Sequence, residues 1–283
     1  MNSIDVFYRS DDGLRLYACD APGPAADAPA VLCLPGLTRN GKDFGAVAER
    51  LRQRHRVICP DQRGRGRSQR DPDAAHYAPM RYVQDMFTLL DTLGVARVRV
   101  IGTSLGGLMG MLMLALQPLR IEALVLNDVG PVVDPAGIAR LATYVGKSAP
   151  VANWDEAIDQ TAAINGVAFP GYGRAAWAAM ARNVYIQEDT QPVLDYDPAI
   201  AQGVSSGTAT PDLWPLFDGL VPRPMLVIRG ETSDILSLQT LAEMQRRRPT
   251  MQTVTVPGVG HAPMLDEAEA VAAIDFFLAG AGK

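Results

Sequence analysis

The hydrophobic positions of this chain form short apolar runs that alternate with longer amphipathic stretches. The runs are rich in β-branched residues and predict buried strands at residues 30–34, 56–59, 98–101, 121–126, 225–228 and 252–256. The stretches between them have helical spacing and predict helices at residues 43–51, 80–93, 105–116, 238–247 and 267–278. Near the start, two short strand patterns flank Asp11, Asp12 and Gly13, which is typical of a hairpin. Strands that alternate with helices indicate a mostly parallel sheet with helices on both faces.

The alternation stops over residues 131–215, where no strand-like apolar run occurs. Short helical patterns follow one another there and are interrupted by several prolines. We interpret this segment as a helical cap inserted into one α/β core domain, which residues 1–130 and 216–283 form. The cap follows a predicted central strand, so we expect it to begin at the carboxyl edge of the sheet and the substrate to enter beneath it.

The most informative motif is Gly-x-Ser-x-Gly, formed by Gly102, Ser104 and Gly106. A predicted strand precedes it and a predicted helix follows it, which is the context that a nucleophile elbow requires. Glycines permit the tight turn and the close approach of strand and helix. The motif therefore predicts Ser104 as a nucleophile. The amide of Leu105, at the helix N-terminus, is a candidate donor to a developing oxyanion.

A serine hydroxyl needs a neighbouring base, and the base needs an orienting acid. The chain contains three histidines. His55 lies at the amino end of a predicted strand, and His76 lies in an irregular stretch. His261 directly follows the last predicted strand, at the same edge as Ser104, and is therefore the predicted base.

Two aspartates are candidates for the acid. The chain order Ser, Asp, His favours the loop after residues 225–228, where Asp234 is the best candidate and Glu231 its local competitor. Asp128 follows the strand at residues 121–126 and is the alternative, since an acid there also lies at the correct edge. The sequence predicts Asp234.

The remaining candidates concern the oxyanion and the substrate. The amide of Leu37, after the first central strand, is the predicted second oxyanion donor, opposite Leu105. An arginine facing a dry pocket would require an anionic partner, so we expect an anionic substrate. The candidate substrate-binding residues are Arg39, Arg140, Trp154, Trp177 and Tyr185.

Several of these pieces together resemble the α/β-hydrolase superfamily over nearly the whole chain. The matching pieces are Pro35-Gly36-Leu37, Asp61-x-Arg63-Gly64-x-Gly66-x-Ser68, Gly102-Thr103-Ser104-Leu105-Gly106-Gly107, Ser233-Asp234 and Gly260-His261. The resemblance implies an α/β-hydrolase fold with a mostly parallel eight-stranded sheet and a helical cap. It also implies a triad of Ser104, His261 and Asp234. One departure is Pro35-Gly36, where many members carry His-Gly; the backbone donor survives this change because it is an amide.

Composition and charge limit the expected partners and cellular location. The net charge of −5 argues against a nucleic-acid partner, and the most apolar segment, 105–116, is much shorter than the ~20 residues of a membrane helix. The N-terminal residues 1–5 lack the basic stretch followed by an apolar one that is typical of a signal peptide, and three sparse cysteines are typical of reduced thiols. We therefore expect a cytoplasmic protein that is a monomer or a homodimer and binds neither membrane nor nucleic acid.

The sequence thus predicts a serine hydrolase that uses no cofactor and no metal. The expected substrate is a small-molecule carboxylic ester, lactone or related carbonyl compound. One alternative is a hydrolase of carbon–carbon or amide bonds in a ring-cleavage product. The alternative of another class is a non-catalytic ligand receptor on the same fold.

Overall fold

The computed structural model describes residues 3–202 and 212–281. Residues 203–211, which belong to the predicted cap, therefore lie outside the described residues. The strands are β1 (Ile4–Arg9), β2 (Arg15–Ala21), β3 (Ala30–Leu34), β4 (Arg56–Asp61), β5 (Val98–Thr103), β6 (Ile121–Asn127), β7 (Tyr185–Glu188), β8 (Gln191–Leu194), β9 (Met225–Gly230) and β10 (Gln252–Val256). The helices are α1 (Gly45–Leu51), α2 (Pro79–Thr92), α3 (Leu105–Leu116), α4 (Pro135–Tyr144), α5 (Trp154–Asn165), α6 (Arg174–Val184), α7 (Trp214–Gly219), α8 (Leu238–Arg247) and α9 (Ala268–Gly280). Short 3₁₀ helices lie at Gly41–Phe44, Ala74–His76 and Pro198–Ala201.

Eight strands form one sheet in the order β1-β2-β4-β3-β5-β6-β9-β10. Strand β2 is antiparallel to β1 and β4, and every other neighbouring pair is parallel. The predicted α/β-hydrolase fold is therefore confirmed. The register aligns Leu34 with Gly102, Thr103 with Asn127, and Val256 with Gly230. The loops after β3, β5, β6, β9 and β10 consequently leave the sheet at one edge.

The central strands are mainly apolar because both faces of the sheet are covered. All five residues of β3 are buried. Leu32 and Leu34 pack on one face against the core that includes residues of α2 and α3, whereas Val31 and Cys33 pack on the other face with residues of α1 and α9. This alternation is the period of two that a strand imposes on its side chains.

The segment between β6 and β9 contains α4, α5 and α6, as the helical patterns predicted, but also the antiparallel hairpin β7–β8. The sequence analysis missed this hairpin, since each strand has only four residues and mixes polar with apolar positions. The division of the chain into a core domain and a cap stays a prediction. No helix in the described part of the chain combines the length and the apolar character needed to cross a membrane.

Candidate active site

Ser104 occupies the turn between β5 and α3 with φ 53° and ψ −115°. Positive φ is uncommon for a residue with a side chain, and here the close packing of strand and helix maintains it. A Cβ atom on Gly102 would overlap the backbone of Gly106, and a Cβ atom on Gly106 would overlap the carbonyl of Leu34 in β3. Both glycines of the motif are therefore required by backbone contacts, as the nucleophile-elbow interpretation predicts.

Ser104, His261 and Asp128 form one hydrogen-bonded line. The Oγ of Ser104 lies 2.9 Å from Nε2 of His261, and Nδ1 of His261 lies 2.7 Å from Oδ2 of Asp128. Asp128 is completely buried and directly follows β6. Its carboxylate also accepts hydrogen bonds from the amide of Gly230 at 2.9 Å and from Oγ of Ser233 at 2.6 Å. These hydrogen bonds fix the orientation of the carboxylate toward His261.

Asp234 does not take the position that the sequence analysis assigned to it. Its carboxylate binds Arg140 of α4, with distances of 2.5 Å from Nε to Oδ2 and 2.9 Å from Nη2 to Oδ1. Burial raises the pKa of Asp234, but the ion pair with Arg140 lowers it overall. The neighbouring Ser233 donates to Asp128, whereas Asp234 turns toward Arg140. The predicted pairing of Asp234 with His261 is corrected to the alternative, Asp128.

Asn127, the residue before Asp128, also organises the site. Its Nδ2 donates to the carbonyl of Pro263 at 2.8 Å and to Oγ1 of Thr103 at 3.0 Å. It thereby joins the loop that carries His261 to the end of β5. The sequence analysis did not single out Asn127, although its place at the end of a predicted central strand was a usable signal.

A cavity of about 100 Å³ reaches Ser104 and His261. The predicted oxyanion residue Leu37 lines it, and Leu105 is the first residue of α3. The carbonyl of Leu37 accepts a hydrogen bond from Nε of Arg65 at 2.9 Å, which holds this loop in place. Residues of the insertion contribute to the cavity lining: Leu141, Tyr144, Asn165, Phe169 and Met180. A larger depression of about 710 Å³ lies at the amino ends of β3, β5 and β6, away from Ser104.

Among the five predicted substrate-binding residues, the cavity lining includes Arg39 alone. Arg140 binds Asp234, as described above. The Nε1 of Trp154 donates to Gln187 at 2.9 Å. Trp177 packs behind the cavity against Phe169, with ring centroids 6.4 Å apart. Tyr185 belongs to a small apolar cluster inside the insertion.

Arg39 is not an unpaired charge. Its Nε lies 2.6 Å from Oδ2 of Asp43, and its Nη2 lies 2.8 Å from Oδ1. The sequence analysis expected Arg39 to need a substrate anion, but Asp43 already supplies its negative partner. Asp43 also lines the cavity, and the sequence analysis overlooked it. The spacing of four residues between opposite charges was the available signal.

The Asp61-to-Ser68 motif forms a buried turn, and Arg63 is its centre. Arg63 is completely buried and donates to Asp85 at 2.6 Å and to Asp12 at 2.9 Å. Among the described residues, Asp12, Asp71 and His76 come close enough to suggest metal ligands. Arg63 donates to Asp71 as well at 2.5 Å, so a guanidinium already supplies the positive charge there.

Comparisons with known proteins agree with the fold described above. A model of the alpha/beta hydrolase family matches residues 31–274. The chain is 37% identical over 280 residues to a 3-hydroxybutyrate-oligomer hydrolase from Cupriavidus necator, covering 95% of this chain and 94% of that protein. It is 28% identical over 239 residues to a 2-(acetamidomethylene)succinate hydrolase from Mesorhizobium japonicum, covering 82% and 81%. The crystal structure of an alpha/beta hydrolase from Novosphingobium aromaticivorans is similar with a TM-score of 0.92 and 45% identity, covering 99% of each chain.

Proposed function

The chain belongs to the alpha/beta hydrolase family, and from this premise we propose that it hydrolyses short carboxylic esters through a triad of Ser104, His261 and Asp128. The observation that carries the proposal is the continuous hydrogen-bonded line from Asp128 through His261 to Ser104. This line supplies a nucleophile, a base and an orienting acid in the order that acyl transfer requires.

In the first half of the reaction, Nε2 of His261 accepts the proton of Ser104 as Oγ attacks the ester carbonyl carbon. Asp128 accepts a hydrogen bond from Nδ1–H, so the imidazole presents its Nε2 lone pair to the serine and is stabilised when it becomes charged. The amides of Leu37 and Leu105 are the proposed donors to the tetrahedral oxyanion. The protonated His261 then gives its proton to the leaving alcohol, and an acyl-serine remains.

In the second half, His261 removes a proton from water, which attacks the acyl-serine carbonyl. The acid product leaves and Ser104 regains its proton. Residues of the insertion line the cavity and restrict access of bulk water, which strengthens the oxyanion interactions.

We propose oligoesters of short hydroxyacids, such as 3-hydroxybutyrate, as the substrate class. The support is the relative at 37% identity, whose name states this activity. The cavity of about 100 Å³ is smaller than the 300–1,000 Å³ typical of drug-sized ligand sites. It is suited to one short acyl unit, with the rest of an oligomer outside. Such oligomers end in a carboxylate and are therefore anionic, although Arg39 and Arg140, which motivated the expectation of an anion, are paired with Asp43 and Asp234.

Turnover of p-nitrophenyl butyrate and of a 3-hydroxybutyrate dimer tests the proposal. We expect Ser104→Ala to lower kcat by ~10⁴-fold or more, since the residues of a triad act as a unit. A fluorophosphonate probe should label Ser104. His76→Ala is the matched control, because His76 is half-exposed and outside the cavity lining. Labelling of another serine would overturn the nucleophile, and binding without turnover would favour a ligand receptor.

A further inference from the structure

Arg39 and Asp43 form a polar patch inside the cavity that contains Ser104. A Cβ atom on Gly36 would lie 3.7 Å from Cγ of Arg39 and 3.8 Å from Cβ of Ser104, so the two side chains flank this glycine. The side chains of Arg39 and Asp43 are only 16% and 15% exposed. Both residues line the cavity that reaches the nucleophile, so a bound acyl group has this ion pair within the walls around it.

The pair retains unused hydrogen-bonding capacity on both partners. A guanidinium has five N–H donors, and the hydrogen bonds given above use Nε and one donor of Nη2. A carboxylate has about four acceptor positions. Asp43 uses two of them for Arg39 and a third for Nδ2 of Asn183 at 3.3 Å. A donor and an acceptor therefore remain side by side, and a hydroxyl group can bind both because it donates and accepts.

The charges favour a hydroxyl over a carboxylate at this place. Burial lowers the pKa of Arg39, but Asp43, together with Tyr144 and Tyr172, raises it overall, so the arginine stays charged. The ion pair of Arg39 and Asp43 is then neutral as a unit. A substrate carboxylate beside Asp43 would meet a like charge in a partly desolvated cavity, whereas a hydroxyl would not.

We propose that Arg39 and Asp43 recognise the free hydroxyl of the acyl unit in the cavity, so that hydroxyacid oligoesters are shortened from their hydroxyl end. This inference rests on the proposed ester hydrolysis. Ser104 Oγ forms a bond to the carbonyl carbon of the terminal unit, and the ester C–O bond to the rest of the oligomer breaks. His261 protonates the departing oxygen. Water then releases one hydroxyacid, while the carboxylate end of the oligomer stays outside the cavity.

The test compares kcat/KM for the ethyl esters of three four-carbon acids: ethyl 3-hydroxybutyrate, ethyl butyrate and monoethyl succinate. They share one leaving group and differ in carrying a hydroxyl, no polar group or a carboxylate. We expect wild type to prefer the hydroxylated ester over ethyl butyrate by ~10- to 100-fold, because Arg39 and Asp43 have no hydroxyl to bind when ethyl butyrate occupies the cavity. Asp43→Asn and Arg39→Met should lower this ratio to about 1–3.

The control variant is Asp155→Asn, which breaks an exposed ion pair with Arg174 and should leave the ratio unchanged. Urea denaturation checks that each variant is folded. A structural effect would lower all three kcat/KM values together, whereas loss of recognition would lower the value for ethyl 3-hydroxybutyrate most. A wild-type ratio near one, a ratio unchanged in both variants, or a preference for monoethyl succinate would overturn the inference while ester hydrolysis stands. Failure of wild type to hydrolyse any of the esters or the dimer would instead overturn the proposed function.

Discussion

Asp61, at the end of β4, is a buried carboxylate that holds the turn after that strand. It accepts hydrogen bonds from the amides of Gly41 at 2.7 Å and Arg67 at 2.8 Å and is only 4% exposed. Burial raises the pKa of Asp61 to about 6, although the hydrogen bonds from the two backbone amides oppose this shift. The folded protein therefore binds this proton more tightly than the unfolded chain does.

Because the folded pKa is raised, the contribution of Asp61 to stability is fully present below pH 3.8, the ordinary pKa, and is lost as the pH rises to about 6. We expect Asp61→Asn to remove this dependence. The free energy of unfolding of wild type minus that of the variant should be more positive at pH 5 than at pH 8 by about 1 kcal/mol. Urea denaturation at the two pH values measures it; an equal difference, or a larger one at pH 8, would contradict the assignment.

The competition between Asp128 and Asp234 shows where sequence reasoning about the site stops. Strands β6 and β9 are neighbours, so both aspartates begin their loops at the same edge. Chain order and strand position bring each within reach of His261. The choice depends on side-chain direction: Ser233 turns toward Asp128, and Asp234 turns toward Arg140. Ser104 and His261 were predictable because a single motif and a short list of histidines defined them.

At the scale of elements, the elbow depends on the contact between α3 and β3. A Cβ atom on Gly106 would overlap the backbone carbonyl of Leu34, which cannot move as a side chain could. We expect Gly106→Ala to destabilise the protein by about 1–3 kcal/mol. Turnover should fall too, because β3 leads directly into the loop of Leu37.

Gly45→Ala is the matched control for this substitution. Gly45 begins α1 with φ −56°, and a Cβ atom added to it would meet no other atom within 4 Å. Alanine in an unstrained helical position should raise the free energy of unfolding by about 0.4–1 kcal/mol. Chemical denaturation of both variants checks the pair, and equal effects would show that the α3–β3 contact does not limit stability.

The predicted elements differ in how well local pattern specified them. Strands β3, β5, β6 and β9 were predictable because burial on both faces makes them mainly apolar. Strands β7 and β8 were not, since four-residue strands with mixed polarity carry too little periodicity. Their pairing depends on contacts with the rest of the insertion, as the packing of Tyr185 and Leu194 in one small apolar cluster indicates.

At the scale of the whole molecule, the insertion is anchored on the turn at residues 61–68. The amide of Gly66 donates to the carbonyl of Asp195 at 3.0 Å, and the amide of Asp197 donates to the carbonyl of Gly64 at 2.7 Å. Lys42, beside the cavity loop, binds the carboxylate of Asp195 at 2.8 Å. The turn that a family motif marks in the sequence thus also holds the segment that follows β8. No local pattern could predict that these distant segments meet.

The central claim is that Asp128, and not Asp234, completes the triad. It is tested most directly by measuring kcat of Asp128→Asn and Asp234→Asn on p-nitrophenyl butyrate, with folding checked by circular dichroism. An amide at position 128 favours the wrong imidazole tautomer and cannot stabilise the imidazolium, so kcat should fall by ~10⁴-fold. Asp234→Asn alters an ion pair with Arg140 and leaves the hydrogen bonds of His261 to Asp128 and Ser104 in place, so its kcat should stay within ~10-fold of wild type. A large loss in Asp234→Asn with near-normal kcat in Asp128→Asn would contradict the account.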